Sequence, residues 1–168
     1  MHSHYTDFRD LRVSVIVCHD TYMYVPPPVL LGIAIALSYL ISVQFPILQF
    51  TDVSISFAGI IFIATGISLF LWAIKLLRKH RTTLRPHEKP SKLVTYGPYR
   101  FSRNPIYLGF LMISIGTVLL FANVLAFVGP IIFFVFISTF VIPMEESMLT
   151  KVFGKSYKSY NKKIRRWI

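Results

Sequence analysis

Long runs of apolar residues dominate the chain and alternate with polar connections. Four runs come near the ~20 residues with which a helix crosses ~30 Å of hydrocarbon. They extend over about 29–50, 55–77, 106–122 and 124–142 and contain no Lys, Arg, Asp or Glu apart from Lys75. Because backbone groups in lipid must be satisfied internally, the pattern predicts an all-α integral membrane bundle of four transmembrane helices.

The connections differ in length and charge. Residues 51–54 and a turn near Asn123 are short and carry no basic residue, which predicts two tight hairpins. The link 78–105 and the tail after Glu146 are rich in Lys and Arg. The positive-inside rule therefore places this link and both termini in the cytoplasm. Trp167 and the basic residues near it predict a C-terminal interfacial helix.

Small residues recur on two of the predicted helices. Gly32 and Ala36 are four residues apart, and Gly109 and Gly116 are seven apart. Small side chains let membrane helices approach closely. We expect both pairs to lie in helix–helix contacts.

Composition narrows the class of protein. The 168 residues are 54% hydrophobic, with a mean hydropathy of +0.59, which is too apolar for an ordinary soluble domain. The net charge of +11 comes from 18 Lys and Arg against 7 Asp and Glu. Because the bases lie outside the apolar runs, they indicate a membrane lipid bilayer with an anionic face as partner, and no nucleic acid. One cysteine and no HExxH pairing predict no metal site.

The two ends of the chain differ. Residues 26–168 are predicted to form one membrane domain, with a cytoplasmic cofactor-binding loop between the second and third helices. Residues 1–25 lack a signal-peptide pattern, because acidic residues interrupt them and no long apolar core follows. We expect this segment to be non-native or disordered. Our hypothesis is that native translation begins at Met23 and that residues 1–22 are dispensable.

Three polar clusters are predicted to meet on the cytoplasmic side: 91–99, 103–107 and Glu145–Glu146. Asn104 and Pro105 are typical of an N-cap and a first helical residue, so the third helix would begin there. Its positive end beside Arg103 would attract a carboxylate or phosphate. The glutamates are predicted to follow the fourth helix directly, near its negative end.

Other residues of these clusters add recognition chemistry. Gly97 permits backbone conformations that other residues resist. Tyr96, Tyr99 and Tyr107 offer flat apolar faces that end in a hydroxyl group. Glu145 and Glu146 offer acceptors for a ribose or an ammonium. The anion site, the aromatic faces and these acceptors together would suit S-adenosyl-L-methionine. The residues alone do not separate that cofactor from a nucleotide.

These motifs together resemble a known family. The segments LVTYGPYRFSRNPIYLG, EE about forty residues later, FGKSYKSY and a closing RRW are similar to the isoprenylcysteine carboxyl methyltransferase and phospholipid methyltransferase superfamily of integral membrane enzymes. The resemblance covers about 26–167. It implies a cytoplasmic pocket for S-adenosyl-L-methionine and a lipid-side tunnel for the methyl acceptor.

The resemblance also implies site residues. The cofactor-binding residues would be Ser91, Leu93, Val94, Gly97, Tyr99, Asn104, Pro105, Tyr107 and Glu145. From their chemistry, we expect the catalytic residues to be Arg103, which would orient the cofactor carboxylate, and Glu146, which would assist deprotonation of an amine acceptor unless a tyrosine does so. The eukaryotic prenylcysteine enzymes have an arginine four residues before the first glutamate, where this chain has Val141. That departure puts a prenylcysteine acceptor in doubt.

The expected function is methyl transfer to a lipid, isoprenoid or prenylated acceptor, at a carboxyl oxygen or an amine nitrogen. The expected location is a bacterial inner membrane. One alternative is a membrane reductase that uses NADPH. Another is a non-catalytic lipid-binding membrane protein.

Overall fold

The computed structural model describes residues 25–46, 49, 52–80 and 90–168, and these form helices and connections. The hypothesis about residues 1–22 lies outside the described residues. The α-helices, in chain order, are α1 Pro27–Gln44, α2 Val53–Lys79, α3 Pro105–Phe121, α4 Val128–Phe136, α5 Ile142–Phe153 and α6 Lys155–Lys163. Short 3₁₀ turns cover Gly97–Arg100 and Val124–Phe127, and a π-helical turn covers Ile137–Val141.

Three helical stretches are long and apolar enough to cross a membrane: Pro27–Gln44, Val53–Lys79 and Val124–Phe153. The apolar helix α3 is shorter, at 17 residues. The all-helical architecture expected from the apolar runs is therefore present across the described ranges. Many of the large apolar side chains on these helices are exposed, as expected where lipid is the solvent.

The first helix ends earlier than predicted. It stops at Gln44 rather than near residue 50, and Phe45 leaves the helical region with φ −125° and ψ 73°. Phe45 precedes Pro46, and the residue before a proline is driven out of the α conformation. The buried amide of Asn123 fixes this end of the chain, because its Nδ2 donates to the Phe45 carbonyl at 2.8 Å.

The fourth apolar run continues beyond its predicted end. It was expected to stop at Ile142, but helix persists through α5 to Phe153. A π-helical turn directly precedes Pro143, whose nitrogen carries no hydrogen for the carbonyl one turn earlier. Glu145 and Glu146 therefore lie within a continuing helix, and their predicted position at a negative helix end is wrong.

Glycines set the distance between α2 and α3. A Cβ on Gly66 would stand 2.6 Å from the Gly109 carbonyl oxygen, and a Cβ on Gly116 would stand 2.6 Å from that of Gly59. No real Cβ tolerates such a contact, so the backbones touch at two places seven residues apart on each helix. The predicted packing role of Gly109 and Gly116 is confirmed.

The predicted packing role of Gly32 and Ala36 is wrong. A Cβ on Gly32 would meet nothing within 4 Å of it, and both residues are exposed. The small residues of α1 that face inward are Ala34 and Ser38, which lie against Gly129. The Ser38 hydroxyl donates to the Ala126 carbonyl at 2.8 Å. Pro130, four residues after Ala126, has no N–H for that carbonyl.

The chain closes with α6 and a tail. The buried side chains of α6 are Tyr157 and Tyr160, while its lysines are exposed. Trp167 then packs on Phe134 with ring centroids 5.0 Å apart. The charged and apolar sides of α6 fit the predicted interfacial helix.

The glycine contacts generate a test of the fold. We expect Gly66→Ala to destabilise the protein by about 1–3 kcal/mol, because the added methyl group meets backbone rather than a movable side chain. Thermal unfolding in detergent would measure this. Gly32→Ala is the matched control and should not lower the melting temperature. Equal melting temperatures for the two variants would contradict the tight α2–α3 contact.

Candidate functional site

A cavity of about 310 Å³ lies where the C-terminal part of α2, the start of α3 and α5 come together. Its apolar lining residues include Phe70, Ile74 and Leu77 from α2, Phe110 from α3, and Met148 and Leu149 from α5. Tyrosines, an asparagine and charged groups also line it. Cavities of this size with a few polar groups are typical of small-molecule sites.

Nine of the eleven predicted site residues line this one cavity: Leu93, Val94, Tyr99, Arg103, Asn104, Pro105, Tyr107, Glu145 and Glu146. Ser91 and Gly97 do not line it. Ser91 is exposed. Gly97 begins a 3₁₀ turn with φ +62°, and a Cβ there would stand 3.0 Å from Leu76 Cδ2. Gly97 thus permits the turn that positions Tyr99, but it does not itself line the cavity.

The buried ring of Tyr99 forms part of the wall. Its backbone carbonyl accepts a hydrogen bond from the Tyr160 hydroxyl at 2.6 Å. The Tyr99 hydroxyl itself is buried without a hydrogen-bond partner among the described residues. Burial, together with the charges of Tyr160 and Glu145, raises the pKa of Tyr99. The group is therefore a neutral hydroxyl at physiological pH.

Asn104 occupies the predicted N-cap position, but its side chain makes no capping hydrogen bond. Its Nδ2 donates to the Arg166 carbonyl at 2.9 Å, and its backbone N–H donates to the Ser102 hydroxyl at 3.1 Å. The helix begins at Pro105 as predicted. Asn104 connects that beginning to the C-terminal tail instead of capping it.

Arg103 and Glu146 form the main ion pair of the wall. Arg103 Nη1 lies 2.8 Å from Glu146 Oε1, with side chains only 9% and 15% exposed. Arg166 binds the same carboxylate, with its Nη2 2.7 Å from Oε2 and its Nε 3.1 Å from Oε1. Both carboxylate oxygens are thus occupied by guanidinium groups. The hydrogen bond to Glu146 raises the pKa of Arg166.

Glu145 lies one residue earlier and has a different partner. The Tyr107 hydroxyl donates to its Oε1 at 2.5 Å, a short bond typical of a charged acceptor. Tyr107 stands on the first turn of α3, so this bond joins α3 to α5. Adjacent glutamates therefore have separate tasks: one is held by arginines and the other by a tyrosine.

Sequence reasoning missed Arg166 as a site residue, because its role depends on the tail folding back over α3. Tyr157 and Tyr160, the buried side chains of α6, also line the cavity. Arg103 Nη1 is 3.5 Å from the Tyr157 hydroxyl. Within the described ranges, no cluster of His, Cys, Asp and Glu could hold a metal ion.

Comparisons with known proteins agree on one group. The sequence profile of the family described as Phospholipid methyltransferase matches residues 55–156. A "Probable protein-S-isoprenylcysteine O-methyltransferase" of Oryza sativa subsp. indica is 33% identical over 113 residues, which is 66% of this chain and 59% of the relative. "Methanethiol S-methyltransferase 1" of Bradyrhizobium diazoefficiens is 29% identical over 125 residues, or 73% of this chain and 42% of the relative.

A solved structure has a similar fold. The eukaryotic intramembrane Ras methyltransferase, isoprenylcysteine carboxyl methyltransferase, superposes with a TM-score of 0.64 at 23% identity, over 92% of this chain and 58% of that one. The matched region spans 59% of the length of the rice relative. These proteins are therefore longer than the part that this chain matches.

The unpaired hydroxyl of Tyr99 generates a prediction. Removing a buried polar group that has no protein partner should not destabilise the fold, so we expect Tyr99→Phe to keep or raise the melting temperature. Tyr160→Phe is the matched comparison. It removes the bond to the Tyr99 carbonyl and should cost about 1–3 kcal/mol. Thermal unfolding of the ligand-free variants measures both, and a larger loss for Tyr99→Phe would contradict the assignment.

Proposed function

This chain belongs to the phospholipid methyltransferase family, and we propose that it transfers a methyl group from S-adenosyl-L-methionine to a lipophilic acceptor at a membrane surface. The observation that carries the proposal is the cavity itself. Its lining combines hydrogen-bonding and charged side chains with apolar ones. A polar cofactor and an apolar acceptor need those two environments side by side.

The residues of the cavity fit the proposed cofactor. The carboxylate of S-adenosyl-L-methionine needs a cation, which Arg103 supplies. Its ammonium and ribose need acceptors, and the Glu145 carboxylate faces the same cavity. The ring of Tyr99 lines the same cavity and offers a flat apolar face. Leu93 and Val94 give apolar contact for the adenine.

When bound, this cofactor supplies an activated methyl group on a sulfonium. The protein's own contribution is to bind and align the two reactants. Arg103 is held by Glu146, and Glu145 is held by Tyr107, so both charged groups present fixed positions to a ligand. The apolar wall excludes water from the neighbouring acceptor, which protects the methyl group from hydrolysis.

Glu146 receives a role different from the one expected from the sequence. Both of its oxygens contact guanidinium groups, and these three contacts use most of the carboxylate's roughly four acceptor sites. We assign Glu146 to the orientation of Arg103 rather than to base catalysis. A carboxylate acceptor needs no base, and an amine acceptor would have to bind as the free base or lose its proton elsewhere.

The acceptor is proposed as a lipid or isoprenoid with a carboxyl oxygen or amine nitrogen as nucleophile. Val141 is buried in the core with Tyr107 and Phe110, so no cation stands at that position to meet a prenylcysteine carboxylate. The name of the Bradyrhizobium relative refers to a thiol. A sulfur nucleophile therefore belongs in any acceptor screen, beside prenylated carboxylates and phospholipid amines.

We also propose the arrangement in the membrane. Helix α3, at 17 residues, is about 26 Å long and packs along α2 as a fourth crossing. Four crossings put both termini on one side, which the basic link and tail identify as cytoplasmic. The cofactor cavity then opens to the cytoplasm. Residence in a bacterial inner membrane stays a prediction.

Calorimetric titration of detergent-purified protein tests the class of enzyme. We expect S-adenosyl-L-methionine and S-adenosylhomocysteine to bind with micromolar affinity and NADPH not to bind. Binding of NADPH alone would identify a reductase and contradict the proposal. Binding of the first two without turnover over a broad panel of acceptors would favour a non-catalytic lipid-binding protein.

A variant tests the site assignment. We expect Glu145→Ala to abolish measurable binding of S-adenosyl-L-methionine, because the ligand would lose a buried charged acceptor. The protein should stay folded by circular dichroism. Ser147→Ala, an exposed position on the same helix, is the matched control and should bind normally. Undiminished affinity in Glu145→Ala would refute the assignment.

A further inference from the structure

Residues 164–168, which we name the terminal strap, lie against residues 102–104, of which Arg103 and Asn104 line the cavity. The Arg165 carbonyl accepts from the Arg103 N–H at 3.0 Å. The Arg166 carbonyl accepts from Asn104 Nδ2 at 2.9 Å and from the Ser102 hydroxyl at 3.1 Å. Trp167 rests on Phe134. The backbone of the strap thus holds the segment that carries Arg103.

The side chain of Arg166 changes the charge of this wall. Arg103 and Glu146 alone would form a neutral pair. With Arg166 on the same carboxylate, the group of three carries one net positive charge. That charge is shared between Arg103, which is 9% exposed, and Arg166, which is 44% exposed. The group is therefore suited to receive one anion.

Arg103 has the capacity to meet that anion. Its side chain lines the cavity, and its Nη1 is the atom that contacts Glu146. Arg166 occupies both Glu146 oxygens with two bonds, in a fork geometry that arginine alone provides. Glu146 is thereby kept from forming the same forked contact with Arg103.

We propose that Arg166 is a positioning residue: by sharing Glu146 it leaves Arg103 with the positive charge that binds the carboxylate of S-adenosyl-L-methionine. The inference rests on the proposed function, since it names the group of the cofactor that this wall recognises. Without Arg166, Glu146 would neutralise Arg103, and the two carboxylates would compete for one guanidinium.

Paired titrations test this with two ligands: S-adenosyl-L-methionine and its decarboxylated form, which lacks only the carboxylate. We expect Arg166→Gln to lower the affinity for S-adenosyl-L-methionine by about tenfold, as for loss of a charge-assisted contact. The affinity for the decarboxylated ligand should change by less than about twofold, within the scatter of distant substitutions. Arg166→Lys keeps the charge without the fork and should fall between Arg166→Gln and wild type.

Arg165→Gln is the matched control. It removes the same charge from the adjacent residue, which is exposed and touches the site only through its backbone. It should bind both ligands as wild type does. If Arg166→Gln fails to fold, Arg166→Lys carries the test, with a loss confined to the ligand that has a carboxylate.

The outcomes separate the two proposals. No binding of either ligand by folded wild-type protein would overturn the proposed function, and this inference with it. Normal binding by wild type, with equal losses of both ligands in the Arg166 variants, would leave the function standing and show that the strap is only structural. In an Arg103→Gln background, the added effect of Arg166→Gln on carboxylate recognition should vanish. A persisting tenfold effect there would also overturn the inference.

Discussion

The backbone contact between α2 and α3 at their glycines is the constraint on which the site depends. Gly59 and Gly66 lie against Gly116 and Gly109, so the two helices cannot slide or separate without losing close packing. This contact fixes the start of α3 beside the C-terminal part of α2. Phe70 on α2 then packs on Phe110 of α3, with ring centroids 4.9 Å apart, and both side chains line the cavity.

Polar contacts join the other parts of the chain around the cavity. The Tyr107–Glu145 bond joins α3 to α5, and Arg103 and Arg166 meet on Glu146. Placing polar and charged side chains in an apolar surrounding costs free energy unless each has a hydrogen-bonding or charged partner. Two adjacent glutamates are tolerated here because each binds a different donor. Their arrangement links three separate parts of the chain at the rim of one cavity.

Proline shows how far the sequence could predict the fold. At Pro46, the rule that the preceding residue avoids the α conformation gives the true end of α1, and the apolar run alone placed that end too late. At Pro143 the same rule fails, because a π-helical turn lets the helix continue into α5. Local chemistry is similar at both prolines. What differs is the packing around them, since Val141 and Ile142 are buried in the core, and a single sequence does not show that.

The residues that line the cavity could be predicted from the sequence more fully than the contacts among them. The residues that line the cavity lie in short motifs at both ends of the helices, so fixing the helices brings them together. The partners of Arg103 and Asn104 depend on the strap, which returns over sixty residues of sequence. The Tyr99 hydroxyl and Arg103 Nε lack partners in the described chain, and an unpaired buried group costs about 1–3 kcal/mol. Both groups belong to residues that line the cavity, so the fold gives up this stability at the site itself.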